Sequence, residues 1–229
     1  KYIKMGNWAQ YSDYAASCGT VCGIINACAP VIPFVQIVRG KEKAKTFPES
    51  MIILGIFCSE LWMCYWLAQY QFIAFFSAAF GVIMASIFGT IYCYFYFGNK
   101  IINWFVALAG QFGLIALVYY LLMKVIPLWI VGKGAMVIGI LLNVAPGQNV
   151  VKVCKEGNYK LIPIWSTLFG GLNTTSWFVF GLMLKDINSI VPNGISLAIT
   201  IANASIWVVF YLKSYKKEEK EEKLKEEEA

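Results

Sequence analysis

Seven apolar runs, at approximately residues 14–38, 50–69, 72–97, 101–123, 131–153, 161–184 and 190–213, follow one another with very short connections between them. Each is close to the about 20 predominantly apolar residues that a helix needs to cross the hydrocarbon core of a bilayer. A backbone in lipid must satisfy its own N–H and C=O groups, so runs of this length read as helices. A mean hydropathy of +0.63 with only 14% charged residues excludes an ordinary soluble domain. The expected fold is therefore an all-α polytopic membrane protein with seven transmembrane helices. The first run holds Pro30 and Pro33 and has a counterpart later in the chain, so it reads as a permanent span rather than a cleaved leader.

An odd number of spans puts the termini on opposite sides. Arg39, Lys41, Lys43, Lys45, Lys100, Lys152, Lys155, Lys160, Lys213, Lys216 and Lys217 fall on one side, against Lys1, Lys4, Lys124, Lys133 and Lys185 on the other. Basic residues are retained on the cytoplasmic side, so the C-terminus is expected in the cytoplasm or an equivalent compartment and the N-terminus outside or in a lumen. The formal charge of +6 lies in these connections and forms no continuous stripe, which leaves nucleic acid without a surface to bind. The tail from Lys216 to Glu228 places Glu219 before Lys223 and Glu221 before Lys225 at i, i+4, a pattern that extends the last span as a solvated helix or presents it to a partner.

A shift of about 115 positions lays the first third of the chain over the last: Pro163 falls on Pro48, Trp177 on Trp62, Phe180 on Tyr65, and Pro146 within a residue of Pro30. The organisation this predicts is an N-terminal segment (1–13), a three-helix repeat (14–97), a linker helix (98–130), a second three-helix repeat (131–213) and a charged tail (214–229). Three spans and a single linker span are both odd, so the two repeats enter the membrane in the same sense. Parallel repeats of this kind are one of the symmetries of secondary transporters, whose sites lie near the midplane where the repeats meet.

Residues 161–196 carry the densest cluster of polar and helix-breaking residues inside these runs: Pro163, Asn173, Thr174, Thr175, Ser176, Trp177, then Pro192, Asn193 and Gly194. Each is costly in hydrocarbon unless compensated. Trp177 and Trp62 sit in mid-span, which favours a pocket over the interfacial belt where Trp is usually enriched. Asn173 and Asn193 belong either to that pocket or to hydrogen-bonded helix seams. The matched prolines are either ordinary kinks or hinges. Glu60 is the sole acid inside a span and a functional candidate on that ground. It lies about 200° around its helix from Trp62, facing away from the pocket toward another helix, such as the fourth span near Gln111, or another chain.

Other chemistries find little support. The seven cysteines lie mostly in apolar runs as small hydrophobes, and Cys18 and Cys22 have no His and no second pair to complete a zinc site. No His, a single intramembrane carboxylate and no Ser or Cys with a base at catalytic spacing argue against an enzyme. No phosphate loop of the GxxxxGK type is present.

The pattern of AP at 145–146, IP at 162–163, TSWFVFGL at 175–182, Asp186 and VPNG at 191–194 resembles the SWEET sugar transporters, closely in the second repeat and moderately in the first. The resemblance implies a facilitator moving mono- or disaccharides down their gradient by alternating access, without cofactor or ATP, commonly as a homo-oligomer. It implies a pocket of Trp177, Asn193 and Asn173 in the second repeat, with Trp62 and Cys58 at the matching positions of the first, and hinges at Pro30, Pro48, Pro146 and Pro163. Where the family usually has a pocket Asn, this chain has Ala78 beside Ser77, leaving Ser77 or water as the polar group there. That departure raises two alternatives: a non-transporting subunit of a larger membrane assembly, or a carrier of another small polar solute.

Overall fold

The computed structural model describes residues 8–29, 31–40, 49–97, 110, 113, 117, 119–120 and 125–227. Pro30, Pro48, the connection from Lys41 to Lys45 and most of the expected fourth span, including Gln111, lie outside them. Among the described residues there are eight α-helices and no strand: α1 Trp8–Ala27, α2 Val31–Val38, α3 Glu49–Ala68, α4 Phe72–Phe97, α5 Leu128–Val144, α6 Gly147–Glu156, α7 Ile164–Leu184 and α8 Ile187–Glu227. Phe72–Tyr92, Leu128–Glu156 and Ile187–Lys216 are each long and apolar enough to cross a membrane.

Two expected spans are broken helices. The first divides into α1 and α2, and the fifth into α5 and α6, so the two breaks lie a repeat length apart. At the second break Pro146 has no N–H to donate to Leu142, and the chain passes through 3₁₀-type bonds, Ala145 N to Leu142 O and Gln148 N to Ala145 O. Pro163 behaves differently. It precedes the first residue of α7, after a 3₁₀ turn at Tyr159–Leu161, where a missing N–H costs nothing and the Thr167 N–H and hydroxyl both bond its carbonyl. As a hinge it could act only at a helix start, not within one. Pro192, expected with Gly194 to loosen the last span, lies inside an unbroken α8 that continues through the charged tail to Glu227.

The helices close into a ring in the order α4, α3, α5, α8, α7, α1 and back to α4. In each half the third span packs between the first and second, and the halves meet along two equivalent seams, α1 with α7 and α5 with α3. This is the arrangement of two parallel three-helix repeats about an axis through the ring.

The repeat extends to the turns. The turns that close α3 and α7 hold Tyr70 and Lys185, both left-handed with φ of 57° and 55°. Each turn carries the same pair of bonds, Gln71 N to Trp66 O with Tyr70 N to Leu67 O, and Asp186 N to Gly181 O with Lys185 N to Leu182 O. These satisfy helix-end carbonyls that lipid cannot.

Candidate functional site

A cavity of about 260 Å³ lies inside the ring. Its lining includes Trp62 and Cys58 from α3, Ser77 and Ala78 from α4, Asn173 and Trp177 from α7, and Asn193 from α8. All six residues expected to form the pocket, Trp177, Asn193, Asn173, Trp62, Cys58 and Ser77, therefore line one space.

Each half places a tryptophan and a residue one turn before it on the cavity wall. In α7 the Trp177 indole N–H donates to Asn173 Oδ1 one turn earlier at 2.9 Å. In α3 Cys58 stands one turn before Trp62, and both line the cavity. Neighbouring helices approach these pairs through glycine. A Cβ on Gly23 of α1 would stand 3.0 Å from Asn173 Oδ1, and one on Gly139 of α5 would stand 3.8 Å from Trp62 Nε1 and 4.0 Å from Cys58 Sγ. Small residues let helices pack this closely where there is no hydrophobic force between them in lipid.

The two amides are each half spent. Asn173 gives its oxygen to Trp177, and Asn193 donates from Nδ2 to Ser189 O at 2.8 Å. That leaves the Asn173 amino group as donor and the Asn193 oxygen as acceptor, with no hydrogen bond among the described residues. The two amides thus set one open group of each polarity beside flat apolar ring faces, which is what a hydroxyl-bearing ring requires.

One end of the cavity is shut. Trp66 stacks on Trp62 at 5.4 Å, and Phe180 meets both Trp66 and Trp177 edge-on at 5.4 Å. Beyond these rings Tyr65 donates from its hydroxyl to Asp186 Oδ1 at 2.9 Å, while Gln69 and Asn188 each donate to the same hydroxyl at 3.0 and 3.1 Å. Tyr65 and Gln69 belong to the first repeat and Asp186 and Asn188 to the second, so this latch ties the halves together. At the other end the cavity adjoins a second one of about 660 Å³ that reaches Pro146 and Lys152 and shares Leu142, Asn143 and Asn173 with it.

Residues 129–215 match a family model described as a sugar efflux transporter for intercellular exchange. The chain is 22% identical over 199 residues to the bidirectional sugar transporter SWEET10 of Arabidopsis thaliana, covering 84% of this chain and 68% of that one. It is also 22% identical over 199 residues to SWEET12 of Oryza sativa subsp. japonica, covering 84% and 66%, and 23% identical over 211 residues to the bidirectional sugar transporter N3 of Medicago truncatula, covering 90% and 78%. The chain thus spans about two thirds of the length of the first two. Its fold matches the 3.7 Å structure of a eukaryotic SWEET transporter with a TM-score of 0.76 at 16% identity, covering 90% of this chain and 99% of that one. The chain is thus similar to SWEET transporters, in sequence through these relatives and the match over residues 129–215, and in fold over most of its length.

Within this SWEET-like fold three groups join the site that the sequence reading passed over. Ser59 on α3 lines the cavity next to the serine and alanine of α4, and Asn143 on α5 lines it as well while donating to Pro192 O at 3.2 Å. The side with Ala78 therefore has more than Ser77 to offer. An Asn inside the apolar run 131–153 was the available signal for Asn143, and a second Trp one turn after Trp62 was the signal for Trp66. Glu60 lines neither cavity. It is 1% exposed, and neither carboxylate oxygen has a hydrogen-bond partner among the described residues.

Proposed function

We propose that this chain is a facilitative transporter of mono- or disaccharides, working as a uniporter by alternating access. The observation that carries the proposal is the central cavity itself, with Trp62 and Trp177 as walls from the two repeats, an open donor on Asn173 and an open acceptor on Asn193. A sugar ring packs its C–H faces on the indoles and exchanges hydroxyl hydrogen bonds with the amides. The relatives named as bidirectional sugar transporters support the same reading.

The latch at Tyr65 and Asp186 and the aromatic layer beneath it close one entrance while the second cavity keeps the other open. Access alternates when the halves rock about the ring axis, the latch parts and the opposite end closes. Pro146 is the bending point in the second repeat; Pro30, Pro48 and Pro163 serve the same motion on this reading. Among the described residues no Lys or Arg lines the central cavity, which favours neutral polyols over organic anions.

The excess of basic residues at the Lys152 end supports a cytoplasmic location for that end and for the C-terminus. The chain assembles with copies of itself, and crosslinking in membranes should give one homo-oligomeric species; stable association with unlike chains would instead make it a subunit of a larger assembly.

Purified protein in liposomes should take up labelled glucose or sucrose without ATP or an ion gradient. Trp177→Ala and Trp62→Ala should each lower uptake at least about tenfold, the effect of losing about 1.4 kcal/mol of binding. Absence of uptake for a panel of sugars by well-folded protein would sink the proposal.

A further inference from the structure

The second cavity, at the Lys152 end, has its own set of unspent polar groups. Asn203 of α8 lines it and is only 3% exposed. Its amino group donates to Ile199 O at 3.1 Å and Pro146 O at 3.4 Å, while its Oδ1 accepts no hydrogen bond. A buried acceptor left bare costs about 1–3 kcal/mol, so such a group is ordinarily met by a ligand or by water.

More groups surround it. Thr174 and Ser196 bond one another across α7 and α8 at 3.1 Å, which uses one hydroxyl hydrogen and leaves the other. Ser166 and Thr200 line the same space with no side-chain hydrogen bond among the described residues. Among the described residues the one charged side chain lining it is Lys152, exposed at the mouth, so the lining farther in is neutral.

We infer that this vestibule is a second binding site for a neutral polyol, distinct from the central cavity and occupied in the conformation closed at the Tyr65–Asp186 latch. The inference rests on the sugar-carrier reading for its ligand class. Hydroxyls of the ligand donate to Asn203 Oδ1 and exchange with the Thr174–Ser196 pair and Thr200. A sugar held there favours the latched state, in which this space is open.

The test is equilibrium dialysis of labelled D-glucose against the full chain in nanodiscs. Wild-type protein should hold about two glucose molecules per chain at saturation. Asn203→Leu and Thr200→Val should each reduce this to about one, as should Trp177→Ala acting on the central cavity instead. Thr200→Val serves as the gentle variant: a Cβ on Gly171 would come within 2.8 Å of Thr200 Cγ2, and Val keeps that methyl while removing the hydroxyl. A single glucose lost with Trp177→Ala and untouched by Thr200→Val would show that water alone fills the vestibule and would overturn this inference while leaving the carrier reading intact. Glucose binding to none of the folded variants would overturn both.

Discussion

Trp177 shows how much of the site depends on residues that have no chemistry of their own. Its ring is seated by Gly19 of α1, where a Cβ would lie 2.9 Å from the nearest ring atom, Cε2. Gly19→Ala must push the indole aside, an overpacking that costs about 1–3 kcal/mol. The expected outcome is a folded protein with weakened sugar binding, read as a raised KM in liposome uptake. Gly134→Ala is the contrast: its Cβ would meet only the flexible end of Leu61, at 3.8 Å. There the gain in helix propensity, about 1 kcal/mol, should leave uptake unchanged and raise the melting temperature. The residue scale is also where sequence reading reached furthest. Trp62, Trp177, Asn173 and Asn193 stood out because they are large or polar in apolar runs. Gly19, Gly23 and Gly139 did not, because a glycine in a transmembrane run carries no sign of what packs against it.

At the scale of elements, span count and repeat length were legible from hydropathy and proline placement, while the ends of the spans were not. Nothing in the residue types of Tyr70 or Lys185 announces a left-handed cap, since glycine normally holds that position. The repeat is visible there only in the hydrogen bonds. Lys185→Gly relieves a conformation that costs an L-residue roughly 1–2 kcal/mol, and thermal unfolding of the variant should shift upward. Pro146 makes an opposite case. Pro146→Ala restores a donor for the Leu142 carbonyl and lets α5 run into α6 as one helix. If the break is the hinge of the second repeat, glucose binding should survive while the transport rate falls several-fold; an unchanged rate would make Pro146 a fixed kink. The unbroken α8 shows why proline alone misleads. The Pro192 carbonyl accepts from Asn143 of α5 and the Asn193 side chain bonds Ser189 O, so packing and local bonds hold the helix across a residue that sequence alone marks as a breaker.

The ring as a whole is pseudo-symmetric in its helices and asymmetric in its latch. Phe180 of the second repeat matches Tyr65 of the first by position, and only Tyr65 carries the hydroxyl on which three other side chains converge. That convergence joins residues 121 positions apart and could not be read before the helices were placed. It also makes the latch unusually easy to weaken without disturbing packing. Tyr65→Phe keeps the ring against Trp62 and Trp66 and removes one oxygen, leaving Gln69, Asn188 and Asp186 each short of a partner. Leaving such groups unpaired costs about 1–3 kcal/mol, and the cost falls only on the state in which they are buried together. The state closed at the Lys152 end does not bear it, so its population must rise. In a chain keeping Cys58 as its single cysteine, a membrane-impermeant thiol reagent added from the Asp186 side should then modify that cavity residue about tenfold faster than in the Tyr65 parent, the ratio expected for about 1.4 kcal/mol. Equal rates in two equally stable proteins would mean that the aromatic layer, not the hydrogen-bonded latch, keeps that entrance shut.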